Sequence, residues 1–130
     1  MPEEVVIAIV DDDEAVREAL AGLVKSLGFR AVAFSSAEDF LNSEGHGSAS
    51  CLIADVQMPG MTGPELHDRL TTSGQHIPTI LITAYPDERV RARALQAGMV
   101  CYLTKPFKES DLLACLDSAL DNRDVHKGGA

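Results

Sequence analysis

Four short apolar runs in this chain each lead into a polar residue, with helical patterns between them. They are Val5–Val10 before Asp11, Asp12 and Asp13; Cys51–Ala54 before Asp55; Ile77–Ile82 before Thr83; and Val100–Thr104 before Lys105 and Pro106. Runs of this length, bounded by turn residues, read as strands buried on both faces. Strands that alternate with helices form a parallel sheet with helices on both sides, because the crossovers are right-handed. Arg30–Phe34 reads as a short second strand and completes five strand–helix repeats. The expectation is an α/β fold: a doubly wound, five-stranded parallel sheet of order 2-1-3-4-5 with five helices. In such sheets the functional crevice lies outside the carboxyl ends of the strands, here between strands 1 and 3. The acid run, Asp55, Thr83 and Lys105 then all meet at one edge.

The helices are marked by spacing and by their stops. Val16, Leu20, Leu23, Val24 and Leu27 recur at helical intervals before Gly28. Ser36 with Asp39 predicts a capped short helix through Leu41. Pro64 is expected at the first position of a helix carrying Leu66 and Leu70. Pro86, Asp87 and Glu88 open a helix through Ala97 that Gly98 ends. Leu112, Leu113, Leu116, Ala119 and Leu120 mark the last one. Glu44–Ser50 reads as the loosest loop, and Met58–Gly63 as a tight one with two glycines. Apolar periodicity stops after Leu120, so the expected division is one domain over 1–121 and a frayed tail or linker over 122–130.

Charge narrows the function. Twenty acidic against eleven basic residues give a net charge of −9. That speaks against this domain gripping nucleic acid or an anionic membrane. No apolar stretch approaches membrane-spanning length, and Met1-Pro2-Glu3-Glu4 has no signal-peptide profile. Cys51, Cys101 and Cys115 have neither metal nor disulfide spacing, so they are expected as buried thiols of a cytoplasmic protein. His46, His67, His76 and His126 are scattered without ligand spacing. Arg89, Arg91 and Arg93 form a basic strip, either a solvated helix face or a surface for a partner or second copy.

Several carboxylates in one crevice need an explanation. Two charges about 5 Å apart at an effective dielectric near 20 repel by roughly 3 kcal/mol. A divalent cation relieves that, and oxygen ligands without His or Cys suit a hard ion, Mg²⁺ first. Asp55, between the metal and Lys105, is placed to act as a nucleophile and accept a phosphoryl group as an acyl phosphate. Metal, lysine and the Thr83 hydroxyl would then hold the transferred oxygens. Taken singly, each residue has a plainer role: a helix cap, a strand-end hydroxyl, a solvated charge or a turn residue. Together, at four strand ends, they exceed what those roles require.

The blocks Val10-Asp11-Asp12, Ala54-Asp55-Val56-Gln57-Met58-Pro59-Gly60-Met61-Thr62-Gly63, Leu81-Ile82-Thr83-Ala84 and Tyr102-Leu103-Thr104-Lys105-Pro106-Phe107 resemble the signatures of the receiver domain of two-component response regulators. The resemblance runs from about Val5 to Leu120, and around Asp55 and Thr83 it is strongest to FixJ/NarL-type transcription regulators. It implies a flavodoxin-like, CheY-like fold in which Asp55 is the phosphoacceptor. Asp11, Asp12, Asp55 and the backbone carbonyl of Gln57 would hold Mg²⁺, Thr83 and Lys105 would contact the phosphoryl group, and Tyr102 would be the switch aromatic. Asp13 would cap the first helix or support the metal ligands. Gln57 and Tyr85 would influence water access to the acyl phosphate. The Lys105–Pro106 bond would be cis. The implied partner is a sensor histidine kinase, with homodimerisation on phosphorylation. The protein would be a switch that catalyses its own phosphoryl transfer and dephosphorylation rather than an enzyme acting on other substrates. The tail would suit a linker to a DNA-binding domain.

Three other functions share parts of this pattern, the first a degenerate receiver acting only as a binding module, against which the complete set of acids, Thr83 and Lys105 weighs. A haloacid-dehalogenase-type phosphohydrolase would use Asp11 and Asp13, but needs an acidic pair after the lysine and gives Asp55 no role. A flavodoxin-like carrier would set a flavin phosphate against three aspartates.

Overall fold

The computed structural model describes residues 5–43 and 48–128, with side chains through Leu120. Its order is β1 (Val6–Val10), α1 (Glu14–Ser26), β2 (Arg30–Phe34), α2 (Ala37–Asn42), β3 (Cys51–Asp55), α3 (Gly63–Thr72), β4 (Thr79–Thr83), α4 (Glu88–Gln96), β5 (Cys101–Thr104) and α5 (Glu109–Gly128). The five strands form one sheet of order β2-β1-β3-β4-β5, with every pairing parallel. This is the fold expected from strand–helix alternation.

Period-two alternation divides each strand between two cores. Ala8, Val10, Leu52, Ala54 and Leu81 face Phe40, Leu66, Leu70 and Ala94 of α2, α3 and α4. Ile7, Ile9, Ile53, Ile80 and Ile82 face Leu20 and Val24 of α1 and Leu112 and Leu116 of α5. Burial on both faces is why β1, β3 and β4 read as continuous apolar runs.

Local signals set the helix ends. Asp13 caps α1 by accepting from the Ala15 and Val16 N–H groups, and Gly28 follows its end at φ 95°. Ser36 caps α2 through the Asp39 N–H. At α3 a reciprocal Thr62–Glu65 capping box moves the start to Gly63, so Pro64 is the second residue and not the first. Asp87 caps α4. The last helix also departs from expectation, because α5 stays helical to Gly128 instead of fraying near Asp121. No Gly or Pro interrupts 121–127, and each added residue of a formed helix gains one hydrogen bond. The Glu44–Ser50 loop falls partly on 44–47, outside the described residues.

The cysteines need a correction. Cys51 is a buried free thiol, with burial pushing its pKa up to about 12. Cys101 and Cys115, expected as thiols, are instead joined in a disulfide with their Cα atoms 6.0 Å apart. Chain spacing gave no hint of the pair; the packing of α5 against β5 creates it. Among the described residues no helix is long and apolar enough to cross a membrane.

Candidate phosphoacceptor site

Strand register builds the site. Val10 pairs with Ala54, so Asp11 leaves β1 level with Asp55 at the end of β3. Asp55 pairs with Ile82 and Thr83 with Thr104, which puts the hydroxyl one step and Lys105 two steps further along the same edge. Carboxylate oxygens of Asp11, Asp12 and Asp55 all lie within 4.8 Å of one another. Lys105 Nζ bridges two of them, 3.2 Å from Asp11 Oδ2 and 3.4 Å from Asp55 Oδ2. Asp11 is fully buried, Asp55 is 6% exposed, and Asp12 stands in solvent. The Lys105–Pro106 peptide is cis.

Backbone and neighbouring side chains hold these groups. The Asp13 N–H donates to Asp11 Oδ1 at 2.9 Å, and Arg17 Nη1 donates to the Asp11 carbonyl at 2.8 Å. The Gln57 N–H points at Asp55 Oδ1, 3.4 Å away. Thr83, fully buried, accepts from the Tyr85 N–H at 2.9 Å and donates to Gln57 Oε1 at 3.4 Å. The Tyr102 hydroxyl accepts from the Asp87 N–H at 3.0 Å. Tyr85 is 71% exposed. Asp11, Asp12, Asp55, Gln57, Thr83 and Lys105 thus come together, while Tyr102 on β5 reaches Asp87, the cap of α4.

Sequence reasoning missed three supports. Glu38 on α2 accepts from the Met61 N–H at 3.1 Å and pins the loop after Asp55 across 23 residues. Gly60 in that loop has φ 78°, and a Cβ there would lie 2.8 Å from Glu38 Oε2. At Gly63 a Cβ would collide with the Asp55 carbonyl oxygen and stand 2.9 Å from Leu81 Cδ2, so only glycine lets α3 start against the acid's backbone. The two glycines of the loop were visible in the sequence, but the Glu38 contact is long-range and left no local mark.

The charge balance is uneven, with three carboxylates sharing one ammonium. Burial and then the neighbouring Asp11 hold the Asp55 carboxyl above its ordinary value of 3.8, against the pull of Lys105. For Lys105, burial favours the neutral form, but Asp11 and Asp55 outweigh it and raise the ammonium above 10.5. The three aspartates are the one group among the described residues with acids, His or Cys placed to hold a metal ion. Their all-oxygen donor set fits a hard divalent cation. His46 lies outside the described residues, and the half-buried His67 imidazole is held below 6.5 by burial.

Comparison with known proteins agrees with this architecture. The family described as response regulator receiver domain matches residues 7–117. Response regulator protein TmoT of Ectopseudomonas mendocina is 47% identical over 118 residues, covering 91% of this chain and 54% of TmoT. The structure of the response regulator StyR superposes with TM-score 0.88 at 36% identity, covering 98% of this chain and 64% of that one. A crystal structure of FixJ-N superposes with TM-score 0.82 at 32% identity, covering 92% and 96% of the two chains. The chain spans about half the length of the curated relatives it matches.

Proposed function

The chain belongs to the response regulator receiver domain family, and from that premise we propose that Asp55 accepts a phosphoryl group from the phosphohistidine of a sensor kinase in the cytoplasm. The observation that carries this reading is the strand-end Asp55 carboxylate, 6% exposed, held between Asp11 and the Lys105 ammonium 3.4 Å away. An Asp55 oxygen attacks phosphorus, the P–N bond breaks, and its electron pair leaves with the imidazole. Lys105 and Thr83 then hold the phosphoryl oxygens, which Thr83 can do by giving up Gln57 as its acceptor. Asp11, Asp12, Asp55 and the Gln57 carbonyl are the residues that would hold Mg²⁺. The bound ion supplies charge neutralisation at the transferring oxygens. Attack by water on the same phosphorus would return Asp55 to its resting state, with exposed Gln57 and Tyr85 at the water's approach.

The proposed readout uses the same residues. A group of charge near −2 on Asp55 draws the Thr83 hydroxyl inward and opens space that Tyr102 fills by leaving the Asp87 N–H. The surface of α4, β5 and α5 is thereby repacked and favours a homodimer. Exposed Arg89, Arg91 and Arg93 on one copy would face exposed Asp111 and Asp117 on the other. Each such pair contributes only about 0–1 kcal/mol, so apolar contacts must supply most of the affinity. Exposed Leu95 and Leu113 are candidates. Residues 122–130 would serve as a linker to an output domain, and the acidic domain itself would not touch nucleic acid. Asp55→Asn should abolish labelling by a kinase or a small-molecule phosphodonor; undiminished labelling would overturn the assignment.

A further inference from the structure

We propose that Cys101 and Cys115 form a reversible redox site that, when closed, ties β5 to α5 and holds the α4–β5–α5 face in its resting arrangement. The effect on signalling rests on the dimerisation reading above; the redox chemistry does not.

Cys101 heads the four-residue edge strand β5, which has a sheet neighbour on one side only. Cys115 lies 14 residues on, in the half of α5 that packs on the sheet through Leu112, Leu116 and Ala119. Strand alternation sends Cys101 and Leu103 towards α5 and sends Tyr102, between them, towards the opposite core. The bridge therefore anchors the backbone next to the switch aromatic. In the structure that holds it, Tyr102 still accepts from the Asp87 N–H and Thr83 from the Tyr85 N–H. A Tyr102 that swings inward must be accommodated by a strand already fastened at its preceding residue.

The environment of the pair suits exchange rather than a permanent staple. In a reducing cytoplasm, disulfides in mesophiles are usually transient and redox-sensing. Cys101 is partly exposed whereas Cys115 is 6% exposed, so Cys101 is the sulfur a small oxidant reaches first. The third thiol, Cys51, is fully buried in the sheet and does not compete. With oxidised glutathione as the oxidant, the deprotonated Cys101 Sγ attacks one of its sulfurs. That breaks the glutathione S–S bond, forms a mixed disulfide and releases one glutathione thiolate. The Cys115 sulfur, after losing its proton, then attacks Cys101 Sγ, forms the Cys101–Cys115 bond and releases the second thiolate. The two thiolates take up the two protons, so the protein loses two hydrogens and one glutathione disulfide becomes two thiols.

The test equilibrates the chain in glutathione buffers of graded composition, quenches with acid, alkylates free thiols in denaturant so that buried Cys51 is also reached, and weighs the intact protein and its peptides. The expected product has lost two hydrogens, keeps Cys51 alkylatable and reverts at the reducing glutathione ratios of a cytoplasm. It should be absent from Cys101→Ser and Cys115→Ser and present in Cys51→Ser. Three alkylatable thiols in excess oxidised glutathione, a mainly intermolecular disulfide, or a bridge that never reverts would each overturn the redox site. Sedimentation of beryllofluoride-treated protein then reads the coupling. The oxidised chain should dimerise about fivefold more weakly, at the low end of ordinary coupling, and Cys115→Ser should ignore oxidant. Equal dimerisation of both forms would overturn the coupling. A reduced chain that stays monomeric would strike the dimerisation reading and the coupling with it, while the mass measurement would still decide the redox site.

Discussion

Without metal, the acid cluster should cost stability, and Asp55→Asn should return it. With their carboxylate oxygens no more than 4.8 Å apart and an effective dielectric near 20, Asp11 and Asp55 repel by about 3 kcal/mol or more. Asp12 adds less, because it is solvated. Lys105 at 3.4 Å attracts Asp55 by about 5 kcal/mol on the same scale, but it is shared with Asp11 at 3.2 Å. These charge terms nearly cancel, so the cost of burying the carboxylate decides, and its pKa is raised accordingly. Asparagine keeps the shape and removes the charge, for an expected gain of about 1–2 kcal/mol, or a melting temperature higher by roughly 4–8 °C. The gain depends on pH. A carboxyl whose folded value lies above its unfolded one favours the native state while protonated and loses that contribution as pH rises through the folded value. The variant's advantage should thus be full at neutral pH and shrink as pH falls through the raised Asp55 value towards 3.8. Mg²⁺ at a hundredfold excess over its dissociation constant should stabilise the parent by about 2.7 kcal/mol and the variant by less, which reverses the order. Thermal melts in chelator and in millimolar Mg²⁺ at several pH values provide the assay. A variant less stable than the parent in chelator would refute the reasoning, since the Lys105 pairing would then outweigh burial and repulsion.

Further substitutions probe the supports and the switch. Gly63→Ala places a Cβ against the Asp55 carbonyl and should destabilise by about 1–3 kcal/mol, with slower phosphorylation; a neutral melt would contradict the close approach. Tyr102→Phe removes the acceptor of the Asp87 N–H and about 1 kcal/mol from the resting state, so half-activation should need about fivefold less beryllofluoride. An unchanged midpoint would show that this bond does not oppose switching. Thr83→Ala should leave Asp55 able to accept phosphoryl yet uncouple it from dimerisation in sedimentation; a variant that dimerises as well as the parent would remove Thr83 from the relay.

The parallel sheet was legible because strands buried on both faces, such as Ile7–Val10 and Cys51–Ala54, leave unbroken apolar runs. Their starts were less legible. Ile77 and Val100 are apolar for burial yet lie outside β4 and β5, since apolarity reports burial and not pairing. The end of α5 is not legible because a helix can continue on backbone hydrogen bonds after its apolar stripe stops. At α3 the Thr62–Glu65 signature is present in the sequence, but Pro64 beside it gives a competing start signal one residue later. The acids, hydroxyl and lysine could be placed because each ends a strand or follows one within two residues. Glu38 on Met61, Tyr102 on Asp87 and Cys101 on Cys115 could not, since they depend on how separate elements pack.

Intact mass followed over time reads the fate of one phosphoryl group. With acetyl phosphate and Mg²⁺, the chain should gain a single phosphoryl group that peptide mapping places on Asp55. It should gain none in chelator and none as Asp55→Asn. Sustained release of phosphate without a protein adduct would make the chain a phosphohydrolase, and an unchanged mass would make it a binding module; either result would contradict the account.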